Sequence, residues 1–214
     1  MKKITFMGAG STVFVRNVLG DCLCSEVLRD AEFALYDIDA KRLSESAEII
    51  GAMNETMGGH AKVTAHLGVE NRKEALRGAD FVVNAIQVGL YDPCTIIDFE
   101  VPKKYGLRQT IGDTLGIGGI MRALRTIPVI LEIAEMMKKY APGAKLINFT
   151  NPSGIITEAV ARYTDVPVVG LCNCPITAFM RTKKHMGLSV PCFGVQTDYT
   201  CIPFWDCLLY TSPS

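Results

Sequence analysis

Two glycines, a serine and an aspartate near the N-terminus have the types and spacing that dinucleotide binding needs. The apolar run Ile4–Met7 leads into Gly8, Gly10 and Ser11, and a helical pattern follows. Glycines at such a turn let a pyrophosphate approach backbone N–H groups at the helix N-terminus, where a serine hydroxyl can also bind it. Asp37 ends the next predicted strand, so it can bind the adenosine ribose and repel a 2′-phosphate. The pattern predicts NAD rather than NADP; the alternative is a structural glycine turn beside a solvated aspartate.

Two further loops follow other predicted strands and carry groups that could bind a substrate or a metal. Asn151 precedes a proline, so it is either a turn former or a ligand for a substrate hydroxyl beside the nicotinamide. Cys172 follows the last predicted strand, where a thiolate could bind a soft or borderline metal ion. The alternative for any cysteine of this chain is a buried thiol that acts as a small hydrophobic side chain.

Two more segments have sequences whose roles stay open. Residues Gln87–Cys94 follow the apolar fourth strand, and in a doubly wound sheet such a loop lies over the cofactor. Residues Asp113–Arg122 form a glycine-rich stretch before a long helix. This stretch is either a flexible connection or a second anion or sugar site at a helix N-terminus.

The elements that position these loops alternate between strand and helix. Such alternation is typical of βαβ units, and it predicts an α/β fold with a doubly wound parallel sheet, a Rossmann-like domain. The predicted strands are Ile4–Met7, Phe33–Asp37, Val63–His66, Phe81–Ile86, Ala144–Phe149 and Val166–Leu171, and the predicted helices include Ala40–Met57, Asn71–Leu76 and Ile120–Tyr140.

Composition excludes several classes of protein. The 214 residues are 49% hydrophobic and 21% charged, which is typical of a globular chain. Lys and Arg number 22, as do Asp and Glu, so net charge offers no basis for binding nucleic acid or an anionic membrane. The N-terminal apolar run is too short for a signal peptide, so we expect a cytoplasmic protein whose eight cysteines stay reduced.

Taken together, these motifs resemble the N-terminal part of the NAD- and manganese-dependent glycosidases of glycoside hydrolase family four. The resemblance runs from Met1 to about Gly187. It is carried by segments 8–11, 37–39, 113–119, 122–128, 148–152 and 170–173. Simple lactate- and malate-type dehydrogenases share the fold and an Asn-Pro motif, but they lack the Arg-Ala-Leu-Arg-Thr-Ile-Pro helix of residues 122–128.

The resemblance implies an unusual hydrolysis that depends on two cofactors, NAD and Mn²⁺ or another divalent metal ion. The sugar is oxidised at C3, a base removes the C2 proton, the aglycone is eliminated, and water and hydride are then returned. The metal ion acts as a Lewis acid on the C2 and C3 oxygens. By matching position, Cys172 is the implied metal ligand and Asn151 a substrate-binding residue.

The same resemblance implies what this chain does not supply. The catalytic tyrosine of the family is expected beyond this chain, and Gly194–Thr197 lacks the histidine that would be the second metal ligand. We therefore expect an NAD-binding domain over residues 1–187. Residues 188–214 would begin a truncated C-terminal domain or form a non-native tail. We expect the chain alone to be inactive, and the full-length protein to be a homo-oligomer.

Several functions remain open at this point. The main expectation is hydrolysis of a neutral α-galactoside or α-glucoside, because Cys94 stands where phospho-specific members of the family have an arginine. The sequence from Cys172 to Ile176 instead resembles the 6-phospho-β-glucosidase branch. Outside the family, the alternatives are a lactate- or malate-type NAD dehydrogenase and a catalytically silent nucleotide-binding module.

Overall fold

Short apolar runs in this chain pair as six parallel strands. The computed structural model describes residues 1–108, 116–172, 185 and 187. The strands are β1 (Lys3–Met7), β2 (Glu32–Asp37), β3 (Lys62–Leu67), β4 (Phe81–Asn84), β5 (Lys145–Asn148) and β6 (Val168–Gly170). Their order in the sheet is β3-β2-β1-β4-β5-β6. This order confirms the predicted doubly wound α/β fold, because it reverses direction between β1 and β4.

Helices connect the strands and cover both faces of the sheet. They are α1 (Thr12–Cys24), α2 (Ala40–Thr56), α3 (Arg72–Leu76), α4 (Ile96–Lys104), α5 (Ile117–Tyr140) and α6 (Ser153–Tyr163). A short 3₁₀ turn, Val69–Asn71, precedes α3, and an irregular helical segment, Leu90–Thr95, precedes α4.

Two apolar clusters hold the layers together, one on each face of the sheet. Successive residues of a strand point to opposite faces. Phe6 accordingly packs in a cluster with Phe33 and residues of α1 and α2, and Met7 packs in the other with Leu146 and residues of α3, α5 and α6. Strands buried on both faces read as continuous apolar runs, as β2 and β4 do over most of their length.

Three elements differ from the sequence prediction. β4 ends at Asn84 rather than Ile86. The chain turns at Gly8, directly after β1, so β1 offers no further strand pairing to β4 beyond Ala85. Helix α4 was not predicted. α5 begins at Ile117 instead of Ile120, and it takes in Gly118 and Gly119, which are both buried. That part of the glycine-rich stretch is therefore helix rather than a flexible connection.

Part of the predicted organisation lies outside the described residues. Asp113–Leu115 and the whole of 188–214 fall there, so the division of the chain at residue 187 stays a prediction. Within the described part of the chain, no helix combines the length and apolar character that crossing a membrane requires.

The core predicts a stability effect at Leu146. This side chain is fully buried on β5, so Leu146→Ala leaves a cavity and should lower the free energy of unfolding by about 2–5 kcal/mol. Leu124→Ala is the matched control: Leu124 is 61% exposed on α5, and we expect a change within about 0.5 kcal/mol. Urea unfolding followed by circular dichroism measures both, and equal effects would contradict this description of the core.

Candidate functional site

Five strand ends lie in a row at the carboxyl edge of the sheet. Met7 of β1 pairs with Tyr36 of β2 and with Asn84 of β4. Asn84 pairs with Asn148 of β5, and Asn148 pairs with Gly170 of β6. Adjacent strands are about 4.8 Å apart, so the row from β2 to β6 spans about 19 Å. The loops after these strands therefore open onto one elongated site, centred where the strand order reverses.

The turn after β1 holds its backbone close to both neighbouring strands. The N–H groups of Gly8 and Ala9 donate to the carbonyl oxygen of Tyr36, at 3.0 and 2.9 Å. Gly8 has a φ of +87°, and a Cβ on it would lie 2.6 Å from the carbonyl oxygen of Ala85. Only glycine fits this position, because any side chain would push the turn away from β4.

The Asp37 carboxylate is held by two backbone groups. Its Oδ2 accepts a hydrogen bond from the Gly10 N–H at 2.6 Å, and its Oδ1 accepts one from the Asp39 N–H at 3.0 Å. A Cβ on Gly10 would lie 2.8 Å from the same Oδ2. Gly10 thus makes room for Asp37 itself. Each carboxylate oxygen keeps a further lone pair with which to accept a ligand hydroxyl.

Arg42, to which sequence analysis gave no role, also contacts Gly10 in this turn. Its Nε donates to the carbonyl oxygen of Gly10 at 3.0 Å. Its position is fixed by Asp39, whose side chain caps α2 by accepting the Arg42 N–H at 3.0 Å. Asp37 and Arg42 therefore hold the N–H and the carbonyl of Gly10 respectively.

Ser11 stands at the N-cap of α1, and its side chain makes no capping hydrogen bond. It is half-buried next to the glycine turn. The first N–H groups of a helix lack partners within the helix and attract anions. The Ser11 hydroxyl and the start of α1 thus present hydrogen-bond donors at the centre of the row.

A buried polar network ties the ends of β4 and β5 together. The Thr150 N–H donates to Asn148 Oδ1 at 3.1 Å, and Asn84 Nδ2 donates to the same oxygen at 2.9 Å. Asn148 Nδ2 donates to Thr157 Oγ1 at 3.1 Å. Because a backbone N–H can only donate, the Thr150 contact fixes the orientation of the Asn148 amide and, through it, that of Asn84. Asn84 Oδ1 is left buried, with no hydrogen-bond partner in the described part of the chain.

Asn151 follows this network directly and is half-buried at the edge. Thr150, the residue before it, donates from Oγ1 to the Ile86 carbonyl at 3.0 Å, which fixes the loop against the end of β4. Within the part of the chain that the structure describes, the Asn151 side chain makes no hydrogen bond. Its amide is therefore free to bind a substrate hydroxyl.

Cys172 lies at the far end of the row, two residues beyond β6. Its thiol is free and half-buried, and the Leu171 N–H donates to the Asn148 carbonyl at 2.9 Å, which keeps this segment beside β5. Among the described residues no three His, Cys, Asp or Glu side chains cluster as a metal site. Cys172 is thus one candidate ligand without a described partner set.

The loop after β4 is folded back on itself and packs against α5. Its base is closed by a hydrogen bond of 3.1 Å from Gln87 Nε2 to Thr95 Oγ1. Arg125 of α5 lies beneath the loop and forms a two-bond ion pair with Asp98 of α4, at 2.8 and 2.5 Å. The hydrogen bonds with Asp98 raise the pKa of Arg125 above its ordinary value, so its guanidinium stays charged.

Some predicted site residues lie outside the described part of the chain, and the structure shows others that were not predicted. Asp113–Leu115, Asn173–Ile176 and Gly194–Thr197 lie outside the described residues. Sequence analysis missed Arg42, the role of Asn84, and the pairing of Asp98 with Arg125. The one signal available for Asn84 was its type: an amide that ends an otherwise apolar buried strand needs a hydrogen-bond partner.

Comparison with known proteins identifies the family. Residues 3–188 match the family model described as Family 4 glycosyl hydrolase. An α-galactosidase of Bacillus subtilis is 54% identical over 188 residues, which cover 88% of this chain and 43% of that protein. A probable 6-phospho-β-glucosidase of the same organism is 40% identical over 91% of this chain and 43% of its own length.

A solved structure has the same fold. The 6-phospho-β-glucosidase of Thermotoga maritima, crystallised with manganese, NAD⁺ and glucose-6-phosphate, superposes with a TM-score of 0.75 and 29% identity. The superposition covers 88% of this chain and 44% of that one. The chain therefore spans less than half the length of these relatives, and over the part that it spans it belongs to glycosyl hydrolase family 4.

Proposed function

We propose that the complete protein is an NAD- and metal-dependent glycosidase that hydrolyses a neutral α-galactoside, or an α-glucoside. The observation that carries the proposal is a dinucleotide-type strand edge in a chain that is 54% identical to an α-galactosidase over 88% of its length. Family membership argues against the dehydrogenase alternative, because the match extends through residue 188.

The residues that follow β1 fit NAD. Gly8 and Gly10 leave the turn without side chains, Ser11 offers a free hydroxyl, and α1 begins there with unpaired N–H groups. When bound, NAD⁺ supplies a reversible oxidation of the substrate. The task of these residues is to bind the pyrophosphate and fix its register along the edge.

Asp37 supports the choice of NAD over NADP. Its carboxylate is already oriented by two N–H donors and would repel a 2′-phosphate. Arg42 lies nearby, and its Nε donates to the Gly10 carbonyl. The Thermotoga relative was crystallised with NAD⁺, which agrees with this choice.

At the other end of the row, we propose that Asn151 binds a sugar hydroxyl and that Cys172 binds Mn²⁺ as a thiolate. Asn151 and Cys172 follow β5 and β6, which are paired in the sheet. Among the described residues the Asn151 amide makes no hydrogen bond, and the Cys172 thiol is free. The remaining metal ligands would have to come from outside the described residues, so we derive no catalytic step through the metal. A reduced thiol also fits a cytoplasmic location.

The neutral sugar is preferred over a 6-phosphorylated one for two reasons. The relative named α-galactosidase is more similar to this chain than the one named 6-phospho-β-glucosidase, at 54% against 40% identity. In addition, the loop after β4 carries Cys94, and the guanidinium beneath this loop, that of Arg125, is paired with Asp98. We also propose that the complete protein is a homo-oligomer that acts on a small glycoside and binds neither nucleic acid nor membrane.

An activity panel tests the proposed reaction. With NAD⁺, Mn²⁺ and a reducing agent, the complete protein should release nitrophenol from nitrophenyl α-galactoside and not from the 6-phospho-β-glucoside, with no net change in NADH absorbance. The 214-residue chain should release none, because its described residues do not complete a metal site. Preference for the phosphorylated substrate, or turnover by this chain alone, would contradict the proposal.

The Asp37 proposal predicts a change in cofactor choice. Asp37→Ala removes charged hydrogen-bond acceptors, so NAD⁺ affinity should fall about tenfold or more, while NADP⁺ affinity should change less. Calorimetric titration of both cofactors measures the ratio. Asp165→Ala is the control, since Asp165 is 93% exposed and lies at the opposite edge of the sheet. An unchanged preference for NAD⁺ in Asp37→Ala would overturn the assignment.

The Cys172 proposal predicts a loss of metal binding without a loss of cofactor binding. Cys172→Ala should weaken Mn²⁺ binding to the complete protein about tenfold or more, because a ligand is lost, and should abolish metal-dependent activity. NAD⁺ affinity should stay within a few-fold. Electron paramagnetic resonance of free Mn²⁺ measures the first effect. Cys24→Ala, at an exposed position on α1, is the control; if Cys172→Ala behaves like it, the thiol only packs.

A further inference from the structure

The ion pair between Asp98 and Arg125 is unusually buried for a surface connection between two helices. The Asp98 side chain is 7% exposed and that of Arg125 is 26% exposed. Both guanidinium NH₂ groups bond to the carboxylate, at 2.8 and 2.5 Å. Removing two charges from water is costly, and the attraction between them offsets this only with good geometry. A buried ion pair is therefore weak evidence of a stabilising role, and the residues around Arg125 indicate another one.

The third nitrogen of Arg125 faces the loop after β4. Nε is buried and makes no hydrogen bond to any of the residues that the structure describes. A Cβ on Gly89 would lie 3.4 Å from this Nε and would overlap Cys94 Sγ. Gly89 also has a φ of +85°, which favours glycine. The space that a side chain at Gly89 would need is therefore taken by the Cys94 thiol and bordered by the Arg125 guanidinium.

The loop has its own hydrogen bonds but no other charged anchor beneath it in the described residues. Besides the Gln87–Thr95 contact, the Cys94 N–H donates to the Gly89 carbonyl at 3.4 Å and the Leu90 N–H to the Gln87 carbonyl at 3.2 Å. On the outer side, Leu90 and Tyr91 are 48% and 68% exposed. The bonds within the loop fix its shape, and Arg125 Nε lies next to it on the side of α5.

We propose that Arg125, oriented by Asp98, is a positioning residue that holds the Gln87–Thr95 loop over the candidate site. The loop starts three residues after Asn84, at the point of the sheet edge where ligands bind in this fold. The role of the pair is thus to set the position of the loop wall against the cofactor and the sugar. The link to ligand binding rests on the proposed function, whereas the contact with the loop does not.

Alkylation of cysteines in the 214-residue chain tests the contact directly. Cys94 is half-buried beside Gly89 in this loop, so its rate of reaction with iodoacetamide, resolved by peptide mass spectrometry, reports on the loop. Cys22 on α1 is half-buried too, and burial, together with the charge of Asp21, raises the pKa of its thiol. It reacts when the fold opens, so it reports on general unfolding.

Three variants separate positioning from stabilisation. Arg125→Ala should raise the Cys94 rate about fivefold or more, with the Cys22 rate within about twofold of wild type, because only the loop is released. Arg125→Lys keeps the charge next to Asp98 but loses the planar fork. It should still show fast Cys94 alkylation, with the Cys22 rate again within about twofold of wild type. Lys103→Ala, which breaks the exposed pair with Glu100 on α4, is the control and should change neither rate.

The outcomes that overturn the proposal are distinct from those that test the proposed function. A Cys94 rate in Arg125→Ala equal to that of wild type, equal rises at Cys94 and Cys22, or full rescue by lysine would each show that the pair does not position the loop. NAD⁺ titration of the same proteins forms the second arm, and a loss of about threefold or more in Arg125→Ala is expected. If neither the unmodified chain nor the complete protein binds NAD⁺, the proposed function fails, and the alkylation result still decides the role of Arg125.

Discussion

The parallel pairing of β1 with both β2 and β4 is the constraint on which the rest of the structure depends. It aligns Met7 with Tyr36 on one side and with Asn84 on the other. β5 and β6 continue this register, so the five strand ends lie in a row. The loops that follow these strands therefore begin at the same edge of the sheet. A slip of one residue would reverse which side chains face which apolar layer. The site is thus a consequence of how the core packs.

The backbone groups that this edge exposes are satisfied by side chains from distant parts of the chain. The turn after β1 is held through Gly10 by Asp37 and Arg42, and the ends of β4 and β5 are held by the two asparagines. Unpaired buried polar groups are costly, so these contacts stabilise one loop conformation over others. The edge is preorganised before any ligand binds, which is what close binding of a dinucleotide requires.

The chemistry along the row is divided between its two ends. The half formed by β1 and β2 carries the groups suited to a dinucleotide, whereas β5 and β6 carry the amide and the thiol suited to a sugar and a metal ion. The loop after β4 lies between them. The relatives of this chain are more than twice as long as the part that it matches. Under the proposed function, the described residues form the cofactor-binding side of the active site, and the proposals for substrate and metal concern the complete protein.

Local pattern in the sequence determined the class of fold and most of the strand positions, because apolar runs of this length and their spacing leave few other arrangements. It also placed Asp37 at the end of a strand and Gly8, Gly10, Asn151 and Cys172 after strand ends. Helix α4 could not be predicted, since its one buried acid pairs with an arginine 27 positions away. The same holds for Arg42 and Asn84, whose partners lie 32 and 64 residues distant. Only tertiary structure decides such contacts, because the polar side chains involved have no periodicity, and their partners meet only once the sheet has formed.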